Sequence, residues 1–156
     1  MYVARSYLGV KEIKGPKHNT VILGWLDDLG AWWREDESAW CGLLPAVSFR
    51  KAGYPIPKLY MRAKAWLDWG QRLTIPVYGC VVVFDRAGGG HVGFVVGVDP
   101  DGNPWVLGGN QGDAVTIAKF DKARVLGYRI PRGWPYSRAD RPPVMTAAGD
   151  FSKNEA

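Results

Sequence analysis

Two cysteines and two histidines are the scarce chemistry-bearing residues of this chain: Cys41, Cys80, His18 and His91. A cysteine attacks as its thiolate. A catalytic one therefore needs a lowered pKa, a base within reach and a group that orients the base. Cys41 opens "CGLLPAVSFRKAG", where a helix is expected to begin. The unpaired N–H groups and dipole of a helix start stabilise a thiolate. Cys80 instead opens "CVVVF", whose texture is that of a buried strand, and burial raises a thiol's pKa. Cys41 is the expected nucleophile. His91 begins "HVGFVVG" directly after three glycines, Gly88, Gly89 and Gly90. Strand alternation places His91, Gly93, Val95 and Gly97 on one face and Val92, Phe94 and Val96 on the other. Small neighbours thus leave room beside the imidazole. His18, in the loop "KGPKHN", is expected to be structural or exposed.

The base needs an orienting partner from a neighbouring strand. "PWVLGGNQGD" ends in Asn110 and Gln111, and an amide carbonyl there can accept the imidazole N–H and fix its tautomer. Asn110 is the first choice for that role, and Gln111 can share it. A left-handed turn at Gly109–Asn110 is the competing use of the asparagine.

These residues have to be positioned by helices followed by strands. Residues 2–29 read as helical in two pieces, broken at Gly15 and Pro16. Asn19 or Thr20 can cap the second piece, with Val21, Ile22, Trp25, Leu26 and Leu29 on one face. The nucleophile helix should stop at Gly53. Pro45 is tolerated only in a first turn, so that helix must begin at about Cys41 or later. A third helix is expected over "LYMRAKAWLDWG", ending at Gly70. After Pro76 come five short strands, "CVVVF", "HVGFVVGV", "PWVLGG", "AVTIAKF" and "VLGYRI", with turn residues between them. The fold class is α+β: N-terminal helices on an antiparallel sheet of about five strands. Residues 1–136 form a single domain, and 137–156 read as a loosely ordered polar tail.

Composition narrows the partners. The 156 residues contain 47% hydrophobic and 22% charged residues, with net charge +5. The length suits one domain with a respectable core. A basic balance suits an anionic partner such as nucleic acid, anionic lipid or a cell-wall polymer. The cations are scattered, so a nucleic-acid face is not expected, and no apolar window is long enough to cross a membrane. No cofactor is implied. The cysteines and histidines lack the spacing of common zinc sites, and a Cys41–Cys80 disulfide is not expected in a chain made in the cytoplasm.

"DESAWCGL", "AKAWLDWG", "GGGHVGFVVG" and "VLGGNQ" together resemble the small cysteine hydrolases of bacteriophages and prophages. These endolysin-type proteins are related to CHAP and NlpC-type papain-like peptidases. The likeness spans nearly all of residues 5–130. It implies a papain-like α+β fold and hydrolysis of an amide bond in bacterial peptidoglycan, with no cofactor. By position it makes Cys41 the nucleophile, His91 the general base and Asn110 the orienting residue. The Cys41 backbone N–H would serve the oxyanion. Trp40, Trp66 and Trp69 become candidates for the groove wall, and Asp36 and Glu37 for contact with a cationic substrate group. CHAP enzymes often carry glutamate two residues before the asparagine, where this chain has Gly108. The resemblance also implies a monomer made without a signal peptide in the host cytoplasm, reaching the wall after holin-dependent release. The alternatives are a non-catalytic wall-binding module and an antibacterial effector toxin with the same chemistry.

Overall fold

A computed structural model describes residues 1–33, 40–147 and 151–153. Helix α1 (Tyr2–Ser6) is short. Residues 9–12, expected to be helical, are drawn out instead: Gly9 has a left-handed backbone, and Lys11 bridges to Ala114 in antiparallel fashion. The N–H of Gly9 donates to Val115 O, that of Val115 to Val10 O, and that of Glu12 to Asp113 O. The glycine ends the helix, and the loop at 113–115 supplies the hydrogen bonds the backbone then needs. Helix α2 (Thr20–Leu29) starts at Asn19, whose side chain accepts from the Val21 N–H at 2.8 Å, and stops at the left-handed Gly30. Ile22, Trp25, Leu26 and Leu29 face the core, while Val21 stays exposed.

Helix α3 (Leu43–Lys51) is the pillar of the structure, with Leu44, Ala46 and Val47 fully buried. It ends in a left-handed Gly53. The Gly53 N–H donates to Arg50 O and the Tyr54 N–H to Phe49 O, a pairing that satisfies the last carbonyls. Phe49 and Tyr54 close the motif edge to face, 6.2 Å apart.

The segment read as a third helix forms a 3₁₀ helix, Ala63–Asp68, bounded by extended residues Arg62 and Trp69. Its buried residues explain the difference. Ala63, Trp66 and Trp69 recur every third position, and a 3₁₀ turn lines up positions i and i+3 on one face. The two indoles meet edge to face at 5.0 Å.

Six antiparallel strands, one more than the sequence suggested, make a single sheet: β1 (Gln71–Leu73), β2 (Val81–Arg86), β3 (Gly89–Val98), β4 (Pro104–Gly108), β5 (Thr116–Lys119) and β6 (Val125–Ile130). Their order is β1-β6-β2-β3-β4-β5. Strand β1 is three residues long, and its QRL carries no periodicity to read. Val81, Val83, Val92, Phe94 and Val96 turn to the helices. Val82, Phe84, Val95, Val106 and Phe120 share a second core on the opposite face. Register shifts at Val83/Phe84 and Val95/Gly97 add local twist and curl the sheet around that second core. Of residues 137–156, the described ones dock at several points. Val144 bridges to Val98, Asp140 O accepts from the Tyr78 N–H, and the Ser152 N–H donates to Lys119 O.

Candidate active site

Cys41 occupies the turn just before α3, with Gly42 as the N-cap. The Leu43 N–H donates to Trp40 O at 3.0 Å, and the Ala46 N–H to Gly42 O at 3.2 Å. Pro45 is then the third residue of the helix, where its missing N–H costs nothing. Gly42 has a steric reason to be glycine, because a Cβ there would collide with the Tyr60 carbonyl oxygen and lie 3.1 Å from its carbon. Trp40 on the other side is 1% exposed, and its Nε1 donates to Glu12 Oε2 at 3.2 Å. The thiol is thus fixed by its two neighbours in sequence.

The sulfur lies against strand β3, within reach of the Val92 N–H, next in the chain to His91. Pairing between β3 and β4 begins only at Phe94 with Leu107, so β3 is unpaired on that side at His91 and Val92. Burial pushes the Cys41 thiol above its ordinary pKa. The Val92 N–H, the Arg86 guanidinium and the N–H groups of Gly42 and Cys41 pull it down, but desolvation prevails. This corrects the expectation of a lowered thiol: a helix start is worth about 0.3–1 kcal/mol, whereas full burial moves a pKa by several units. Cys80 has fewer opposing donors and is pushed up to about 12. Both cysteines are free thiols.

His91 is fully buried. Its ring lies nearly parallel to Phe120, 5.2 Å away at 10°, and Phe84 flanks it at 6.3 Å. Its Nε2 meets Gln111 Oε1 at 2.9 Å. The first choice for that partner, Asn110, instead takes the left-handed turn, with φ 57°. That twist carries the chain past the imidazole and brings the next side chain back to it. The Gln111 amide is held in one orientation. Its Nε2 donates to Thr116 O at 2.9 Å, Val106 O at 3.2 Å and Thr116 Oγ1 at 3.2 Å. Flipping the amide would set its oxygen against these acceptors, so Oε1 faces His91 and the imidazole proton sits on Nε2. The lone pair then belongs to Nδ1.

Gly108 makes this pair possible. A Cβ there would overlap Gln111 Oε1, lying 2.8 Å from Gln111 Cδ and 3.1 Å from His91 Nε2. Gly109 performs the same service for Trp40, whose ring carbons would be 2.8 and 2.9 Å from an added Cβ. Trp40 and Trp66 are fully buried, so neither forms a groove wall, whereas Trp69 lines an open recess together with Tyr54, Pro55 and Leu59. The Trp66 and Trp69 Nε1 groups donate to Tyr60 O and Pro55 O. Asp36 and Glu37 lie outside the described residues. His18 is half-buried in the loop before α2, distant in sequence from these groups. Sequence reasoning missed Arg86 and Phe120. Neither carries a local signal, since each reaches the site from another strand or from the end of one.

No curated protein and no solved structure matches the chain. Residues 26–110 match the CHAP domain, a stretch that contains Cys41 and His91 and stops one residue short of Gln111. That match covers more than half of the 156 residues, and the fold is the α+β, papain-like arrangement of that domain. The chain therefore belongs to the CHAP domain family, which carries peptidoglycan hydrolase activity of the amidase or peptidase kind.

Proposed function

We propose that the chain is a phage or prophage endolysin, a cysteine hydrolase that cuts one amide bond of bacterial peptidoglycan. The observation that carries this reading is the placing of Cys41 against β3 beside the residue that follows His91, with Gln111 on the imidazole. The Cys41 sulfur lies beside the Val92 N–H, His91 is the preceding residue, and Gln111 fixes the imidazole proton on Nε2. In the proposed reaction His91 Nδ1 takes the thiol proton as sulfur attacks the carbonyl carbon. The developing oxyanion accepts from the Cys41 backbone N–H, a donor of a kind worth roughly 10²–10³ in rate. The imidazolium then protonates the leaving amine, leaving an acyl-thioester that an activated water hydrolyses. With the resting thiol neutral and buried, proton transfer accompanies attack rather than preceding it as a standing ion pair.

The net charge of +5 favours approach to an anionic wall polymer. Release through a holin-made lesion belongs to the same proposal. The test is turbidity loss of purified peptidoglycan with mass spectrometry of the products. Wild type and Cys80→Ser are expected to lyse the wall and leave one new amine and one new carboxylate per cut, while Cys41→Ser is inert. Equal lysis by Cys41→Ser and wild type overturns the mechanism. Binding without any lysis by wild type favours a wall-binding module.

A further inference from the structure

At the β2–β3 hairpin lies an open recess of about 400 Å³ lined by Asp85, Arg86, Ala87, Ala123, Arg124 and Lys153. Three of these residues are cations and one is a carboxylate. That carboxylate, Asp85, is held 2.9 Å from the Lys64 ammonium, which offsets its charge. Gly90 allows the contact, because a Cβ there would press on Lys64 Cγ and Ala63 Cβ at 3.2 and 3.3 Å. Arg124 is fixed before any ligand arrives. Its Nε donates to Asp85 O at 3.1 Å and its Nη1 to Ser152 O at 3.3 Å, and its guanidinium stands over the Phe120 ring at 5.7 Å. A guanidinium held this way presents a planar donor fork, the geometry that suits a carboxylate.

Two observations tie the recess to the reacting centre. Arg86 lines it, and the charge of Arg86 also acts on the Cys41 sulfur. Phe120, beneath Arg124, is the ring on which His91 stacks. We infer that this recess is a subsite for a free carboxylate on the substrate peptide, close to the amide that Cys41 attacks. The inference rests on the peptidoglycan-hydrolase reading. Stem peptides bear free carboxylates along the chain, the kind of group to which a fixed guanidinium donates.

The experiment uses the full chain carrying Cys41→Ser, so that ligand persists, and measures binding by calorimetry. The probes are a stem tetrapeptide with free carboxylates, the same peptide with its carboxylates amidated, and inorganic phosphate. The free peptide is expected to bind about 10- to 100-fold tighter than the amidated one, the scale of a lost charge-assisted hydrogen bond. Adding Arg124→Gln and Lys153→Gln should remove most of that preference. Lys153→Gln alone, an exposed change on the terminal segment, should remove part of it and keeps the test valid if the Arg124 variant fails to fold. Equal affinity for the two peptides, a preference untouched by the substitutions, or displacement by millimolar phosphate each overturns the assignment. Wild-type wall lysis measured in parallel separates the two readings. Lysis with charge-blind binding defeats the subsite alone, whereas charge-selective binding without lysis defeats the hydrolase reading and leaves the recess standing.

Discussion

Gly108→Ala is the sharpest probe of the His91–Gln111 pair. Gly108 has no left-handed backbone, so alanine brings no conformational strain and its methyl group acts by contact alone. That methyl would overlap Gln111 Oε1 and lie 2.8 Å from Gln111 Cδ. The amide cannot tilt aside cheaply, because its Nε2 is anchored on Thr116 O and Val106 O. It must leave, orphaning the buried His91 Nε2–H and two carbonyl acceptors. One unsatisfied buried donor costs about 1–3 kcal/mol, and the weakened acceptors bring the expected loss to roughly 2–4 kcal/mol. With the tautomer no longer held, general-base catalysis worth about 10²–10⁴ is at risk, and kcat/KM should fall by at least 10²-fold. Gln111→Ala should cost about 1–3 kcal/mol by the same orphaning and depress activity as much. In the double variant the collision with the amide is gone and only the 3.1 Å approach to His91 Nε2 remains, so its stability should lie close to that of Gln111→Ala alone. The coupling energy is then nearly the whole cost of Gly108→Ala. Urea unfolding of the four proteins and hydrolysis of a soluble muropeptide supply the numbers. Additive stabilities, within about 0.5 kcal/mol, would show that Gly108 does not exist to admit Gln111 and would refute the reasoning.

Gly42→Ala should disturb the nucleophile more than the fold. The Tyr60 carbonyl in its way is backbone, so the turn carrying Cys41 must shift, and wall lysis should drop by at least 10-fold in protein whose circular dichroism is unchanged. Cys80 makes the protein alkali-sensitive. Its pKa rises from 9.0 unfolded to about 12 folded, so its contribution is intact below pH 9 and is lost between about 9 and 12, amounting to about 4 kcal/mol. Cys80→Ala should flatten the fall of Tm over that range, and an unchanged slope would show that the thiol is not what titrates. Asn19→Ala should cost about 1 kcal/mol in urea unfolding by removing the α2 cap, with no change in specific activity. Alkylation of Cys41 by iodoacetamide should still be accelerating at pH 9, and a plateau below pH 8 would mean a thiolate that burial has not suppressed.

Much of this architecture was legible because local rules and packing agree. Asn19 and Gly30 bound α2, Gly53 closes α3, and Pro45 set the earliest start of that helix. The alternation from His91 to Gly97 divided the two faces of β3 as the two cores do. The failures are of another kind. The 3₁₀ helix at Ala63–Asp68 and the extended residues 9–12 are decided by partners far along the chain, the core beneath the tryptophans and the loop at 113–115. Asn110 and Gln111 are neighbours of equal chemistry, and only the sign of one backbone dihedral determines which reaches the histidine. The two glycines ahead of them held the clue. A glycine that a Cβ would turn into a clash marks where another side chain must pass.

The thiol's raised pKa bears on how the site can work at all. A helix start beside Cys41 and the Arg86 charge both favour a thiolate, yet burial outweighs them in the resting site. The same burial also keeps the attacking atom from competing solvent, and it strengthens each N–H that points at the sulfur. In the proposed reaction a substrate carbonyl entering there brings its own dipole and accepts one of those donors as it becomes an oxyanion. Charge then appears on oxygen and imidazole together, inside a setting of backbone N–H groups, Arg86 and the Gln111 carbonyl that already faces it. The stabilising groups thus act on the transition state more than on the resting thiol. Differential stabilisation of that kind raises kcat instead of only tightening binding. It predicts a rate that depends on Gln111 more steeply than substrate affinity does: Gln111→Ala should lower kcat by at least 10²-fold while changing KM less than threefold. A KM that rises in proportion to the lost kcat/KM, with kcat preserved, would place Gln111 in substrate binding and remove it from the reaction.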